Sequence, residues 1–244
     1  MNTKLTISYE DEALLVVVKP RGIATAPLAK YSTTNNLTEY VFAYCPAIAK
    51  VQGFTAYEGG LLHRLDNDTE GLVLYAKTQE AFNFLQTQAK EGYFIKHYLA
   101  HSLTGVPTLP PDGFSKDNWQ EYLKSNQFIH DKISLTTGFV KAQAKSSKVR
   151  AVGLSASAKA TLPYTTNFTL SSCQSFIKVE CTLTRGFRHQ VRASLAALGL
   201  PIIHDPLYSA GTDNGPIQFW ATALSFKHPN GRQLEVSYKP FMTH

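Results

Sequence analysis

Short β-rich runs recur along this chain without a regular alternation of strand and helix. That pattern points away from a wound parallel sheet and towards an α+β domain built on a largely antiparallel or mixed sheet. Residues 4–18 carry two such runs split by an acidic turn, and Lys19-Pro20-Arg21-Gly22 then breaks the pattern. Between Asn36 and Ala49, Leu37, Tyr40, Val41, Tyr44 and Cys45 recur at helical spacing, which predicts one helix with Thr34 or Asn36 as its cap and Pro46 near its end. After Gly59-Gly60 comes LLHRLDNDTEGLVLYAKT, a polar, glycine-ended loop between two apolar runs that read as strands, so Asp66 is expected on a loop at a strand end. Residues 78–90 read as an amphipathic helix through Ala81, Phe82, Leu85 and Ala89, followed by a strand from Ile95 to Leu103.

The stretch 106–153 is rich in Pro, Ser and Lys and weakly periodic, and is expected to be a surface insertion. Strands are predicted again at Tyr164 to Leu170 and Phe176 to Thr184. RHQVRASLAALGL then reads as a helix ended by Gly199 and Pro201, and the tail from Ile217 to Tyr238 is strand-like. There is no internal repeat. A chain of 244 residues with 43% hydrophobic composition can bury a sizeable core, and one domain over 1–244 is expected.

The chain has 24 basic and 18 acidic residues, a net charge of +6, unevenly spread. Between Lys132 and His204 ten Lys or Arg face one acid, Glu180, so this segment carries +9 and the remainder −3. A concentrated positive segment fits a polyanionic partner, because each phosphate neutralised releases a condensed counterion; it also fits a solvated basic face. No early stretch combines a basic head, an apolar run and a small-residue cleavage site, and no apolar run approaches a bilayer span, so a cytoplasmic protein without a membrane partner is expected. Cys45, Cys173 and Cys181 are an odd set without CxxC spacing and suggest neither a disulfide framework nor a zinc site.

Three clusters could carry chemistry. In His63-Arg64-Leu65-Asp66-Asn67-Asp68 a carboxylate is crowded by cations and a second carboxylate, which can perturb a pKa; a loop of this kind can equally cap a turn. Arg185 to Arg192 places Arg185, Arg188, His189 and Arg192 in eight positions leading into a helix. This is either a clamp for phosphate and carboxylate or a basic face in water. Tyr98, in Lys96-His97-Tyr98-Leu99-Ala100, is either a packed strand tyrosine or a ring that stacks on a base and reaches a proton.

Taken in order, these segments resemble the pseudouridine synthases of the large-subunit rRNA and tRNA type, the branch named after RluA. HRLDNDTEGLVLYAKT (63–78) resembles the family's catalytic-loop motif, KHYLAHSLTG (96–105) its tyrosine motif, and RGFRHQVRASLAALGLPIIHDPLYS (185–209) its helix motif. Lys19-Pro20-Arg21-Gly22 resembles an early Lys-Pro-x-Gly, and residues 221–240 resemble the terminal strand pair. The resemblance implies that Asp66 is the essential aspartate, Tyr98 the active-site tyrosine and Arg192 the cation that pairs with the aspartate. Arg64 is then the residue that fills the space of a displaced base, and His63, Arg188, His189 and Gln190 are expected to contact RNA. It implies RNA, ribosomal or transfer, as partner, no obligate protein partner, and neither a metal nor an organic cofactor.

The implied reaction isomerises a uridine flipped out of its RNA, through Asp66. This sequence departs from the pattern at Phe187, which takes a common Arg position, at Ser194, where His is frequent, and at His204, where Gly usually precedes Asp205. No S4-like RNA-binding domain is expected before residue 1, which leaves target selection to the catalytic domain and the 106–153 stretch. A noncatalytic RNA-binding or RNA-folding protein on the same scaffold is the alternative. A hydrolase built on His63 and Asp66 lacks a nucleophile in a recognisable elbow.

Overall fold

The computed structural model describes residues 5–27, 35–143, 148–154, 162–209 and 215–241. They form two compact units, Met1–His97 with Trp220–His244, and Tyr98–Phe219. Most strand pairs in both are antiparallel, with one parallel pair in the first, so the α+β expectation holds.

In the first unit, β1 (Thr6–Glu10) and β2 (Leu14–Lys19) pair antiparallel across the acidic turn, where the Asp11 carboxylate accepts the backbone N–H groups of Ala13 and Leu14 at 2.9 Å. Every residue of β2 is buried, as its unbroken Leu/Val run requires of a strand covered on both faces. The edge strand β1 is largely exposed, and its register shifts between Ile7 and Tyr9. On the other side β2 pairs with β3 (Glu70–Ala76), which pairs in parallel with the start of β9 (Phe219–Lys227), and β9 pairs antiparallel with β10 (Gln233–Ser237).

Gly71 makes the parallel contact possible. Its φ is +135°, and a Cβ there would lie 2.1 Å from the Ala221 carbonyl oxygen. Helix α3 (Gln79–Glu91) buries Ala81, Phe82 and Leu85; Thr78 caps its first turn and Gly92, at φ +83°, ends it.

Two expectations in this unit are corrected. The single helix over 36–49 is two, α1 (Leu37–Tyr44), capped by Asn36, and α2 (Pro46–Ala49). The break falls at Cys45, whose backbone (φ −132°, ψ 85°) is non-helical, in keeping with the exclusion of the helical region before proline. The other possible cap, Thr34, lies outside the described residues. The apolar run before the HRLD loop is not a full strand either: Leu61 makes one bridge to Tyr75, and Leu62 donates to the Leu74 carbonyl at 3.0 Å before the chain turns away.

In the second unit, β5 (Ile129–Lys141) pairs along most of its length with β7 (Tyr164–Ser172) and at its end with β6 (Val149–Val152), while β7 pairs with β8 (Ile177–Leu183). Helix α4 (Lys116–Ser125) puts Trp119 fully into the core, its indole N–H donating to the Leu198 carbonyl at 2.8 Å. Much of the 106–153 stretch, expected as a surface insertion, is therefore integral to this unit. Helix α5 (Gln190–Ala197) is buried at all positions but Ala196 and is followed by Gly199 at φ +77°. Between the units in sequence, β4 (Ile95–Ser102) spans the division at His97.

Candidate active site

The HRLD loop is fixed from below by the Lys19-Pro20-Arg21-Gly22 turn. Lys19 is fully buried, and its ammonium donates to the carbonyls of Pro20 (2.8 Å), Ile23 (2.9 Å) and Asn67 (2.9 Å). The Gly22 N–H donates to the same Asn67 oxygen at 2.9 Å, from a left-handed backbone at φ +82°. Burial pulls the Lys19 pKa down to about 8, against the attraction of Asp68, Asp66 and Glu70. Thr25 secures the other side: its hydroxyl accepts the Leu65 N–H at 3.0 Å and donates to the Leu65 carbonyl at 2.9 Å. Asp66 is thereby carried, partly buried, on a loop whose flanking backbone atoms are each tied to the turn.

The other members of this loop have distinct tasks. Arg64, nearly half exposed at its side chain, is ion-paired to the buried Glu58. His63 accepts the Leu74 backbone N–H at Nε2 (3.3 Å), and its buried Nδ1 has no partner among the described residues. Desolvation, with Lys96 adding to it, pushes the imidazole pKa down to about 3, so His63 is neutral and packs against Phe94 at 5.7 Å. Arg21 lies over the Trp220 ring at 5.2 Å, with Nε 3.8 Å from Glu70, and the Tyr238 hydroxyl donates to Glu70 at 2.5 Å.

In the second unit, Tyr98 of β4 is partly buried, with Phe219 stacked on its ring at 5.3 Å and 15°. Arg192 of α5 is buried and holds Asp205 in a two-pronged pair, Nε to Oδ2 and Nη2 to Oδ1, both 2.8 Å. Asp205 also accepts the backbone N–H groups of Leu207 (2.9 Å) and Tyr208 (3.1 Å). Asp205 falls within the helix motif, but a lone Asp after a His carries no sequence signal for this role.

Gln190 and His189 are turned inwards. The Gln190 amide donates to Thr166 Oγ1 at 2.9 Å and accepts the Phe187 N–H at 2.9 Å, which pins the loop before α5 to β7. His189, in a left-handed backbone at φ +54°, meets the Tyr208 hydroxyl at 3.2 Å. Arg188, by contrast, is exposed.

The departures from the family pattern have local causes. Phe187 stacks on Phe139 (5.1 Å, 15°) and packs against Tyr164, so an aromatic cluster occupies the position of the usual Arg. His204 holds φ +58°, where glycine is unstrained, and its ring lies where a Cβ on Gly215 would come within 2.2 Å. Ser194 is fully buried and its hydroxyl has no partner among the described residues.

The profile of a family described as RNA pseudouridylate synthase matches residues 13–197. Among curated proteins, ribosomal large subunit pseudouridine synthase C of Escherichia coli K12 is 30% identical over 234 residues, covering 91% of this chain and 62% of that protein. The uncharacterized RNA pseudouridine synthase YlyB of Bacillus subtilis is 28% identical over 227 residues, covering 92% and 65%. The chain thus spans less than two thirds of the length of these two relatives. Among solved structures, human RNA pseudouridylate synthase domain containing 1 superposes with a TM-score of 0.66 at 18% identity over 97% of this chain and 84% of that one, which shows a shared fold. With a profile match over most of its length and the HRLD motif, the tyrosine motif and the first part of the helix motif inside it, this chain belongs to the RluA-type family of RNA pseudouridylate synthases.

Proposed function

We propose that this protein converts uridine to pseudouridine in RNA, ribosomal RNA first among the candidates and transfer RNA second, with Asp66 as the reacting carboxylate. The observation that carries the reading is an aspartate on a loop tethered by Lys19 and Thr25, in a chain whose family match spans residues 13–197. The names of two relatives, ribosomal large subunit pseudouridine synthases C and D, favour ribosomal RNA.

The reaction is an isomerisation and balances within one nucleotide. The C1′–N1 bond breaks, C5 joins C1′, the C5 proton leaves and N1 gains a proton. The target must first leave its stack, which costs a few kcal/mol, least for a loop base. Arg64 then occupies the vacated space as a planar cation, while Glu58 fixes its other edge. Addition of the carboxylate to C6, attack on C1′ and proton abstraction from the sugar all need Asp66 ionised. The family resemblance assigns Arg192, oriented by Asp205, as the cation that favours that state. Tyr98 stacks on the uracil, backed by Phe219, and removes the C5 proton directly or through water. Arg188 contacts the RNA; His189 and Gln190 hold its loop in place.

Tritium release from RNA labelled at uridine C5, taken from cells lacking this gene, tests the proposal. Release by the wild type and none by Asp66→Ala, with RNA binding retained, is expected. Full release by the variant would sink the mechanism, and no release by a wild type that binds RNA would favour a noncatalytic RNA-binding or RNA-folding protein.

A further inference from the structure

The end of β5, the start of β6 and the loop before α5 meet in one hydrophobic cluster of the second unit, formed by Phe139, Val149, Ala151, Ala193 and Ala197 with Tyr164, Phe187 and Tyr208 packed against it. Cations ring this cluster. Arg185 is exposed, with its guanidinium over the Tyr164 ring at 5.0 Å. Arg188 is exposed one residue beyond Phe187, which is anchored between Phe139 (5.1 Å) and Tyr164 (5.3 Å). Lys141 stands directly opposite Val149 in the β5–β6 ladder and is exposed. Lys148, the residue before Val149, lies over the Tyr208 ring at 5.0 Å, and the Tyr208 hydroxyl fixes that strand by donating to the Val149 carbonyl (2.8 Å) and accepting its N–H (3.0 Å).

We propose that Lys141, Lys148, Arg185 and Arg188 form a docking surface for the phosphodiester backbone of the RNA strand that flanks the target uridine. The proposal rests on RNA being the substrate. Arg185 and Lys148 lie over aromatic rings, Lys141 ends a paired strand and Arg188 follows the packed Phe187, so the charges are held apart on ordered backbone rather than on a loose tail. Among the described residues no acid is paired with Lys141, Arg185 or Arg188. Lys178, by contrast, is neutralised in place by Glu180 at 2.8 Å. An unneutralised, rigid positive patch is complementary to a polyphosphate and gains from counterion release when phosphates dock. Contacts of this kind fix register and orientation on the strand and carry no base preference.

The test measures binding of a labelled single-stranded RNA oligonucleotide to full-length Asp66→Ala protein between about 50 and 200 mM salt, so that turnover does not enter. Lys141→Gln, Arg185→Gln and Arg188→Gln are added singly and together, with Lys178→Gln as the control. Each lost phosphate contact is expected to flatten the slope of log affinity against log salt by about 0.7, and the triple variant by about 2, equally for RNAs of different sequence. Arg185→Lys is expected to keep the slope, and Lys178→Gln to leave it unaltered. A triple variant with the wild-type slope, or with loss confined to one sequence, would overturn the proposal. The catalytic reading fails separately: a wild type that releases no tritium but shows these slope changes would lose its enzyme assignment and keep this surface.

Discussion

Arg192 and Asp205 face each other with side chains that are 2% and 0% exposed, so neither charge has water to fall back on. Desolvation of such a pair is offset only by good geometry and by satisfying the remaining lone pairs, and here both prongs are 2.8 Å and two backbone N–H groups complete the carboxylate. Asp205→Ala removes the two-pronged partner of a buried guanidinium and is expected to cost about 3–5 kcal/mol, measured as a shift in the urea midpoint. It should also lower turnover in whatever fraction stays folded, because the orientation of Arg192 is lost with its partner.

His63 gives the opposite kind of dependence. Its folded pKa, about 3, lies well below the ordinary value of 6.5, so between these limits the unfolded chain binds a proton that the folded one refuses. The contribution is fully present above pH 6.5 and is lost as pH falls towards 3. His63→Phe, which keeps a ring against Phe94, is expected to flatten the acid limb of stability against pH, followed by denaturation at pH 7 and pH 4; an unchanged difference between the two would refute the assignment.

Gly71 joins two strands that are far apart in sequence. A methyl group at this position would sit 2.1 Å from the Ala221 oxygen and 2.7 Å from the Ala221 nitrogen, both backbone atoms that cannot rotate away. Gly71→Ala is expected to cost about 2–4 kcal/mol in thermal or urea unfolding, and to disturb the HRLD loop that ends at Glu70. Elements with a strong local signal were legible from sequence: the buried Leu/Val run of β2, the Thr78-capped α3, and the strand pair ahead of α5. Where one residue overrode the period, reading failed. Pro46 splits the helix because Cys45 cannot stay helical before it, and the Leu61–Leu62 run leaves the sheet after one bridge. The 106–153 stretch looked loose because its burial depends on partners distant in sequence, as when Trp119 donates to Leu198. The same holds for the site. Motif order marked Asp66, Tyr98 and Arg192, whereas the Lys19 tether, the Glu58 clamp on Arg64 and the Arg192–Asp205 pair are visible only once the chain is folded.

Across the whole molecule, the +9 segment of the sequence is not a uniformly basic face. Arg192 is buried against Asp205 and Lys178 is paired at the surface with Glu180, while Lys141, Arg185 and Arg188 carry no acid partner among the described residues. Net charge alone therefore overstates what a polyanion can meet, since part of it is already met by acids of the same chain. The division of the chain has a further consequence during synthesis. Glu70 pairs with Trp220, so a strand made early must wait for one made 150 residues later. At a ribosomal rate of about 5–20 residues per second, that delay is roughly 8–30 s. The segment Tyr98–Phe219 is uninterrupted in sequence and emerges during the interval. The first unit thus spends its nascent life with the β3 edge unpaired, which is when a chaperone has most to protect and when a pause in translation does most harm.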